Sequence, residues 1–383
     1  MAEMTALAVV GMSATDPCGM RDHATVLAGA LAHEHVSCSM HWVRRPEGSL
    51  RSARADLREW TRALELELEQ IEADAVLLHY SAFAYAHRGV PLLLGPVLSA
   101  VRSTGLPLVT LMHEFAYGWQ LGAWRTNVWA LSQRAVLIEL MRASRAAIVT
   151  TDFRAEWLTS RRWLPTRPVA VAPVFSNLPA PDPGQRPQRG LLGLFGYAYQ
   201  GAAASLVLDA LRLLADRGVD ARLSLLGAPG AGSPPGRAWQ QGARDRGLAP
   251  ALSFTGTLAA GELSNALAGC EVLLSAASPG PTSRKGTLAA SLASGRPVVA
   301  LDGPRTWQEL VLAEAAEVVA PHAAALADAL AALLADEARC EALGARGRAF
   351  AEQRLSVAYS AEVVAETLAA VLGRRDSQFS RAA

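Results

Sequence analysis

One six-residue stretch concentrates chemistry. Thr282-Ser283-Arg284-Lys285-Gly286-Thr287 puts two cations, three hydroxyls and a glycine directly before the apolar run Leu288-Ala289-Ala290-Ser291-Leu292-Ala293. Lys285 is the single lysine among 36 basic residues. Arginine is a flat fork of five donors, whereas lysine is a compact point charge with three rotatable donors. A lysine kept in an arginine-biased chain can therefore mark a place where the fork does not serve. A polar loop that runs into a helix favours an anion, because the first backbone N–H groups and the helix dipole both point at it. The N–H groups of Lys285, Gly286 and Thr287 would face phosphate oxygens, with Ser283 and Arg284 beside them, and Gly286 would permit close approach. The alternative is a surface loop with both charges in water. His113-Glu114 is a second candidate: an imidazole and a carboxylate end the apolar run Leu108–Met112, where acid–base or hydrogen-bonding groups can be presented. Tyr117, Trp119 and Trp124 follow, and their rings could stack on an amphipathic or ring-shaped small molecule.

These groups need a frame, and apolar periodicity supplies one. Strand-length runs occur at Ala6–Val10, Ala75–His79, Leu108–Met112, Ala146–Thr150, Val169–Ala172, Gly190–Phe195, Arg222–Leu226, Leu252–Thr255, Val272–Ser275, Pro297–Ala300 and Ala316–Val319. They lack alternation, as parallel strands covered on both faces do. Helical spacing fills Asp22–Ala32, Ala53–Glu72, Thr126–Arg142, Leu206–Arg217, Ala259–Ala268, Thr287–Ser294 and Ala323–Leu334. Strand alternating with helix predicts an α/β fold with doubly wound parallel sheets. Leu178–Pro187, with four prolines and a glycine, breaks the pattern. The expected organisation is a Rossmann-like domain over 1–178, a linker over 179–189 and a second Rossmann-like domain over 190–355. A C-terminal helix over 356–373, able to pack back on the first domain, and a polar tail over 374–383 follow. Ligands of such sheets bind beyond the carboxyl ends of the strands, which predicts a cleft faced by both sheets.

Composition narrows the partners. A net charge of +1 gives no basic field for nucleic acid or anionic lipid. Cys18, Cys38, Cys270 and Cys340 are scattered, so they predict neither disulfides nor a zinc site. The N-terminus lacks a signal peptide's basic flank, and the apolar runs Ala6–Met12 and Val90–Val101 are too short to span a membrane. The expectation is a cytoplasmic protein without stable membrane association. A homodimer stays open.

In order and spacing, the second half resembles the retaining GT-B glycosyltransferases of the family 4 type. The resemblance rests on Gly193-Leu194-Phe195-Gly196, Leu223-Ser224-Leu225-Leu226-Gly227, Phe254-Thr255-Gly256-Thr257-Leu258, Glu262-Leu263 and Ser294-Gly295-Arg296-Pro297-Val298-Val299-Ala300. In the first half, Cys18-Gly19-Met20-Arg21-Asp22-His23-Ala24 is similar to the family's glycine loop, His113-Glu114 to its strand-end pair, and Pro173–Pro179 to the segment before its interdomain linker. The resemblance implies a metal-independent transferase with a nucleoside-diphosphate sugar donor and a second, acceptor substrate. It places the donor phosphate near Gly19, Met20, Gly196 and Tyr197, and the nucleotide near Gly227, Gly256, Leu258 and Glu262. It implies His113 as a contact of the reacting sugar. Arg21, Asp22, Tyr117 and Trp119 are then acceptor candidates, with Glu114 as a base for the acceptor.

The departures are specific. The family's usual diphosphate-gripping lysine falls near Ala202 and its arginine near Gly196-Tyr197, and its two glutamates fall at Thr282 and Ala290. Breaking a glycosyl–diphosphate bond puts negative charge on the leaving phosphate, which needs preorganised cations or donors. No Asp-x-Asp supplies a metal site, and no cofactor is expected. Arg284-Lys285 is thus the candidate replacement. The expected activity is retaining transfer to a soluble small molecule in bacterial secondary-metabolite or antibiotic biosynthesis. The alternatives are a catalytically silent homologue that binds a sugar nucleotide or a protein, and a phosphorylase-like enzyme with pyridoxal phosphate on Lys285. Arg284 suits phosphate better than it suits a desolvated imine.

Overall fold

The computed structural model describes residues 4–16, 18–116, 118–119, 124–197 and 201–373. The chain divides into two compact units, one formed by Met1–Pro173 and Val357–Ala383, the other by Val174–Ser356. The first unit runs β1 (Thr5–Ser13), α1 (Gly19–Leu31), β2 (Val36–Arg44), α2 (Leu50–Gln70), β3 (Ala75–Ser81), α3 (Leu94–Ser103), β4 (Leu108–Glu114), α4 (Trp124–Ala143), β5 (Ser144–Val149), α5 (Asp152–Thr159) and β6 (Val169–Val171). Its six strands are parallel, in the order β2-β1-β3-β4-β5-β6. The chain leaves β1 for β2 on one side and places β3 on the other, so the topological switch lies between β1 and β3.

The second unit runs β7 (Gln188–Phe195), α6 (Gly201–Asp216), β8 (Arg222–Leu226), α7 (Pro234–Asp245), β9 (Leu252–Gly256), α8 (Ala260–Ala268), β10 (Cys270–Ser275), α9 (Gly286–Ala293), β11 (Val298–Leu301), α10 (Gln308–Leu312), β12 (Glu317–Val319), α11 (Ala323–Leu334) and α12 (Glu337–Arg354). Its order is β12-β11-β10-β7-β8-β9, also all parallel. Counted from β7, that is the dinucleotide-binding order, with its switch between β7 and β10. The last helix, α13 (Val357–Leu372), packs on α1 of the first unit, and Ser360 Oγ donates to the carbonyl of Pro173 at 3.0 Å.

Central strands read clearly because every position of β3 is buried, so its sequence is a nearly unbroken apolar run. Six elements escaped the periodicity, namely β2, α3, α5, α7, α10 and α12, and three of them show why. Strand β2 is a half-exposed edge whose polar residues hide the pattern. Helix α3 begins next to Pro96, which the run Val90–Val101 presents as a breaker; a first helical turn tolerates proline because its N–H has no intrahelical partner. Helix α7 likewise opens on Pro234-Pro235 behind Ser233, whose hydroxyl accepts from Gly236 N at 3.0 Å.

The proline-rich stretch behaves differently from a free linker. Asp182 N donates to Asn265 Oδ1 at 2.8 Å, and Ser264 Oγ donates to the carbonyl of Pro179 at 2.7 Å. These bonds tie it to α8, so it lies in the second unit, which begins at Val174. The tail over 374–383 lies outside the described residues. Glu337–Leu372 is long and apolar enough by composition to cross a membrane, which the run-by-run reading missed. It is two helices broken at Leu355-Ser356, and α13 buries Ser360, Ala361, Val364 and Leu368.

Candidate functional site

The second unit has a cavity of about 140 Å³ at its switch point. The end of β7 supplies Leu194, Phe195, Gly196 and Tyr197; Ser275, Ala276 and Ala277 follow from β10; and Arg284, Lys285, Gly286 and Thr287 open α9. The sequence builds this corner locally. Lys285 has extended dihedrals at the N-cap of α9 and makes no side-chain cap, so the helix starts with backbone N–H groups rather than a side-chain acceptor. Val174 N donates to the carbonyl of Ser283 at 2.8 Å and pins the preceding turn. Gly196 adopts φ +83°, and a Cβ there would stand 2.9 Å from Thr287 Cγ2. Both the left-handed backbone and the close approach of β7 to α9 therefore call for glycine. Gly286 does not share that need, since a Cβ there would meet nothing nearer than Val174 Cγ1 at 3.8 Å.

The predicted donor residues thus separate. Gly196, Tyr197, Arg284, Lys285, Gly286 and Thr287 line the cavity together. Ser283 is buried beneath them and is not part of the lining. Tyr197 is itself buried and works as an anchor: its hydroxyl accepts from Gly230 N at 2.6 Å, and Trp239 Nε1 donates to its carbonyl at 3.3 Å. The loop after β8 is thereby tied to the cavity wall. Gly227 and Gly256, both with positive φ, bridge β8 and β9 outside the cavity lining. Leu258 packs on apolar core, and Glu262 caps α8 by accepting from Ala259 N at 2.9 Å. Thr282 and Ala290, which occupy the resemblance's glutamate positions, are both buried and offer no carboxylate. Thr282 Oγ1 has no hydrogen-bond partner.

In the first unit, Gly19 and Met20 open α1; Gly19 is exposed, and Met20 packs on the core. Arg21 and Asp22 are exposed on the same turn. Tyr117 lies outside the described residues. Trp119 is exposed, with the Arg134 guanidinium 4.5 Å from its ring centroid. His113 and Glu114 close β4 as the sequence places them. Arg154 from α5, itself buried, clamps that end: it donates to the carbonyl of His113 and lies 3.5 Å from Glu114 Oε2.

His113 does not stand alone. His79 of β3 and His23 of α1 surround it, with ring centroids 5.3 and 5.2 Å from its own. His79 Nδ1 and His113 Nε2 are 3.1 Å apart. Burial lowers His23 to about 4. Burial first, then His23, lowers His79 to about 3. Burial, helped by both imidazoles and Arg154, holds His113 well below the ordinary range. All three rings are therefore neutral at pH 7. Their nitrogens lie within 4.8 Å of one another, the one arrangement among the described residues with metal-ligand types. The contact between His79 and His113 engages one nitrogen of each ring. His23, Arg154 and Trp239 are not among the residues the sequence singled out for the site, and His79 stands out there only as a histidine that ends a strand. The glycine loop and the strand-end position of His79 were visible, but nothing in the spacing 23, 79, 113 announces a cluster.

Residues 189–336, which contain the cavity, match the family model of the glycosyl transferases group 1. No curated protein matches the chain. Its fold is similar to that of a glycosyltransferase from Rickettsia africae, at 13% identity and TM-score 0.71, covering 98% of this chain and 100% of that one. It is also similar to Anabaena HepE in complex with UDP and glucose, at 17% identity and TM-score 0.65, covering 95% and 99%. Sucrose-phosphate synthase from Thermosynechococcus elongatus aligns at 16% identity and TM-score 0.66, covering 97% and 100%. Its two parallel six-stranded sheets and these structural similarities give the chain the GT-B fold, and residues 189–336 are the part that matches the glycosyl transferases group 1 model.

Proposed function

We propose that this chain is a glycosyltransferase whose second unit holds a nucleoside-diphosphate sugar, with the diphosphate against Arg284, Lys285 and the N-terminus of α9. The observation that carries this reading is the placement of the chain's single lysine, beside an arginine, in the lining of the switch-point cavity. Cations and N–H groups fixed there before reaction would stabilise charge as it builds on the leaving phosphate. The group 1 match and the UDP and glucose bound by HepE support this class of donor.

Transfer proceeds with retention, the leaving phosphate assisting same-face attack, and needs no metal at the diphosphate. The acceptor is a soluble small molecule, and the setting is bacterial secondary metabolism in the cytoplasm. His113 contacts the reacting sugar. Glu114, held beside Arg154, is a hydrogen-bond acceptor for the incoming nucleophile. The buried Thr282 and Ala290, where the resemblance calls for glutamates, favour one other reading: a homologue that binds the donor without turning it over.

A thermal-shift screen with UDP, GDP, ADP and dTDP tests the first step, because a ligand bound by the folded state raises its apparent stability. One nucleotide should raise Tm, and its sugar conjugate should release sugar or glycosylate an acceptor. A shift without turnover supports the silent homologue. No shift with any nucleotide removes both readings.

A further inference from the structure

We infer that His79 is a positioning residue whose Nδ1–H donates to His113 Nε2, fixing His113 as the Nδ1–H tautomer and turning its remaining nitrogen into a donor. The argument begins with proton counting. Two neutral imidazoles 3.1 Å apart share one proton, so one ring donates and the other accepts. The rings are inclined by only 27°, which keeps the N–H near the plane of the ring that accepts it. If His113 donated, His79 would carry its own proton on Nε2. That atom is fully buried and has no hydrogen-bond partner, so the molecule would hold an orphaned N–H. If His79 donates through Nδ1, Nε2 is a bare lone pair. Buried N–H groups without partners are the rarer and costlier kind of orphan. The second arrangement therefore wins.

The surroundings hold this geometry. Tyr85 OH donates to the carbonyl of His79 at 3.2 Å, and Arg154 donates to the carbonyl of His113. Both backbones are pinned from outside the pair. Trp42 lies against His79, with ring centroids 5.9 Å apart. His113 is less buried than His79, and its ring hydrogen bond is at Nε2, which leaves Nδ1 for a ligand. A neutral donor at the end of β4 suits a hydroxyl oxygen or carbonyl. It does not suit abstraction of a proton, because the lone pair that could act as base is already taken by His79. On the proposed function, His113 would orient a sugar hydroxyl rather than serve as general base. That consequence rests on the glycosyltransferase reading; the tautomer itself does not.

The test is long-range ¹H–¹⁵N correlation on the full chain with ¹⁵N-labelled histidine, His113 being assigned by its loss in His113→Gln. The proton on His113 Nδ1 is expected near pH 7. A proton on Nε2 overturns the inference, whatever the enzyme's activity. His79→Asn can replace the Nδ1 donor and His79→Phe cannot, so the tautomer should persist in the first variant and mix in the second. If transfer is observed, His79→Phe should lower kcat about tenfold with little change in donor KM, and His79→Asn should restore much of it. Equal loss in both variants with the wild-type tautomer unchanged shows packing alone and overturns the positioning role. Should the chain prove to have no transferase activity, the wild-type spectrum still decides the tautomer.

Discussion

At the switch point of the second sheet, Arg284 and Lys285 line an open corner at the N-terminus of α9. Along the carboxyl edge of the first sheet, His23, His79 and His113 are pressed together, with His79 fully buried. The first arrangement puts two cationic side chains on the wall of a cavity. The second loses its charge because burial penalises imidazolium, and each ring adds to the penalty of the next. The difference teaches that the two units concentrate different chemistry: cationic side chains on a cavity wall in one, neutral imidazoles packed together in the other.

Acid should separate the two regions most sharply. In the unfolded chain each histidine takes a proton near 6.5, whereas in the folded state His23 and His79 resist until about 4 and about 3. The unfolded state therefore binds more protons as pH falls below 6.5. Stability is full above that value and is lost on acidification, by about 1.4 kcal/mol per pH unit for each imidazole. Calorimetry between pH 7 and 4 should show the first unit melting earlier while the second, whose single histidine is the exposed His322, holds. Parallel losses in both units would break the comparison.

Lys285→Ala tests the charged side of the contrast. It should lower kcat/KM by about 2–4 kcal/mol of transition-state energy, that is by roughly 30- to 1000-fold, and leave thermal stability nearly unchanged. Steady-state kinetics with a competent donor reads the effect, and undiminished turnover would remove Lys285 from the phosphate site. Gly196→Ala asks how tightly β7 must approach α9. With φ +83° and a contact of 2.9 Å to Thr287, urea denaturation should register a loss of about 2 kcal/mol, together with weaker nucleotide binding. A stable variant with normal binding would show that the corner is softer than it looks. The smallest change belongs to Tyr197→Phe. Removing the hydroxyl that accepts from Gly230 N should cost about 1 kcal/mol and weaken nucleotide binding a few-fold, read by titration calorimetry.

The sequence by itself determined the two α/β units, because strands buried on both faces must be written as apolar runs and their helices as 3.6-residue stripes. It also brought the residues of the cavity corner together. Arg284 through Thr287 are consecutive, so a loop entering a helix brings them together whatever else the chain does. It did not foresee that Ser283 is buried, that Tyr197 also anchors a loop through its hydroxyl, or that Glu262 caps a helix. Only the tertiary structure decided the histidine cluster. His23, His79 and His113 come from a helix and two strands that are neighbours solely through the order β1-β3-β4, and Arg154 reaches them from α5. Spacing along the chain cannot encode that meeting, nor the burial that keeps the rings neutral, because both follow from how the sheet is wound.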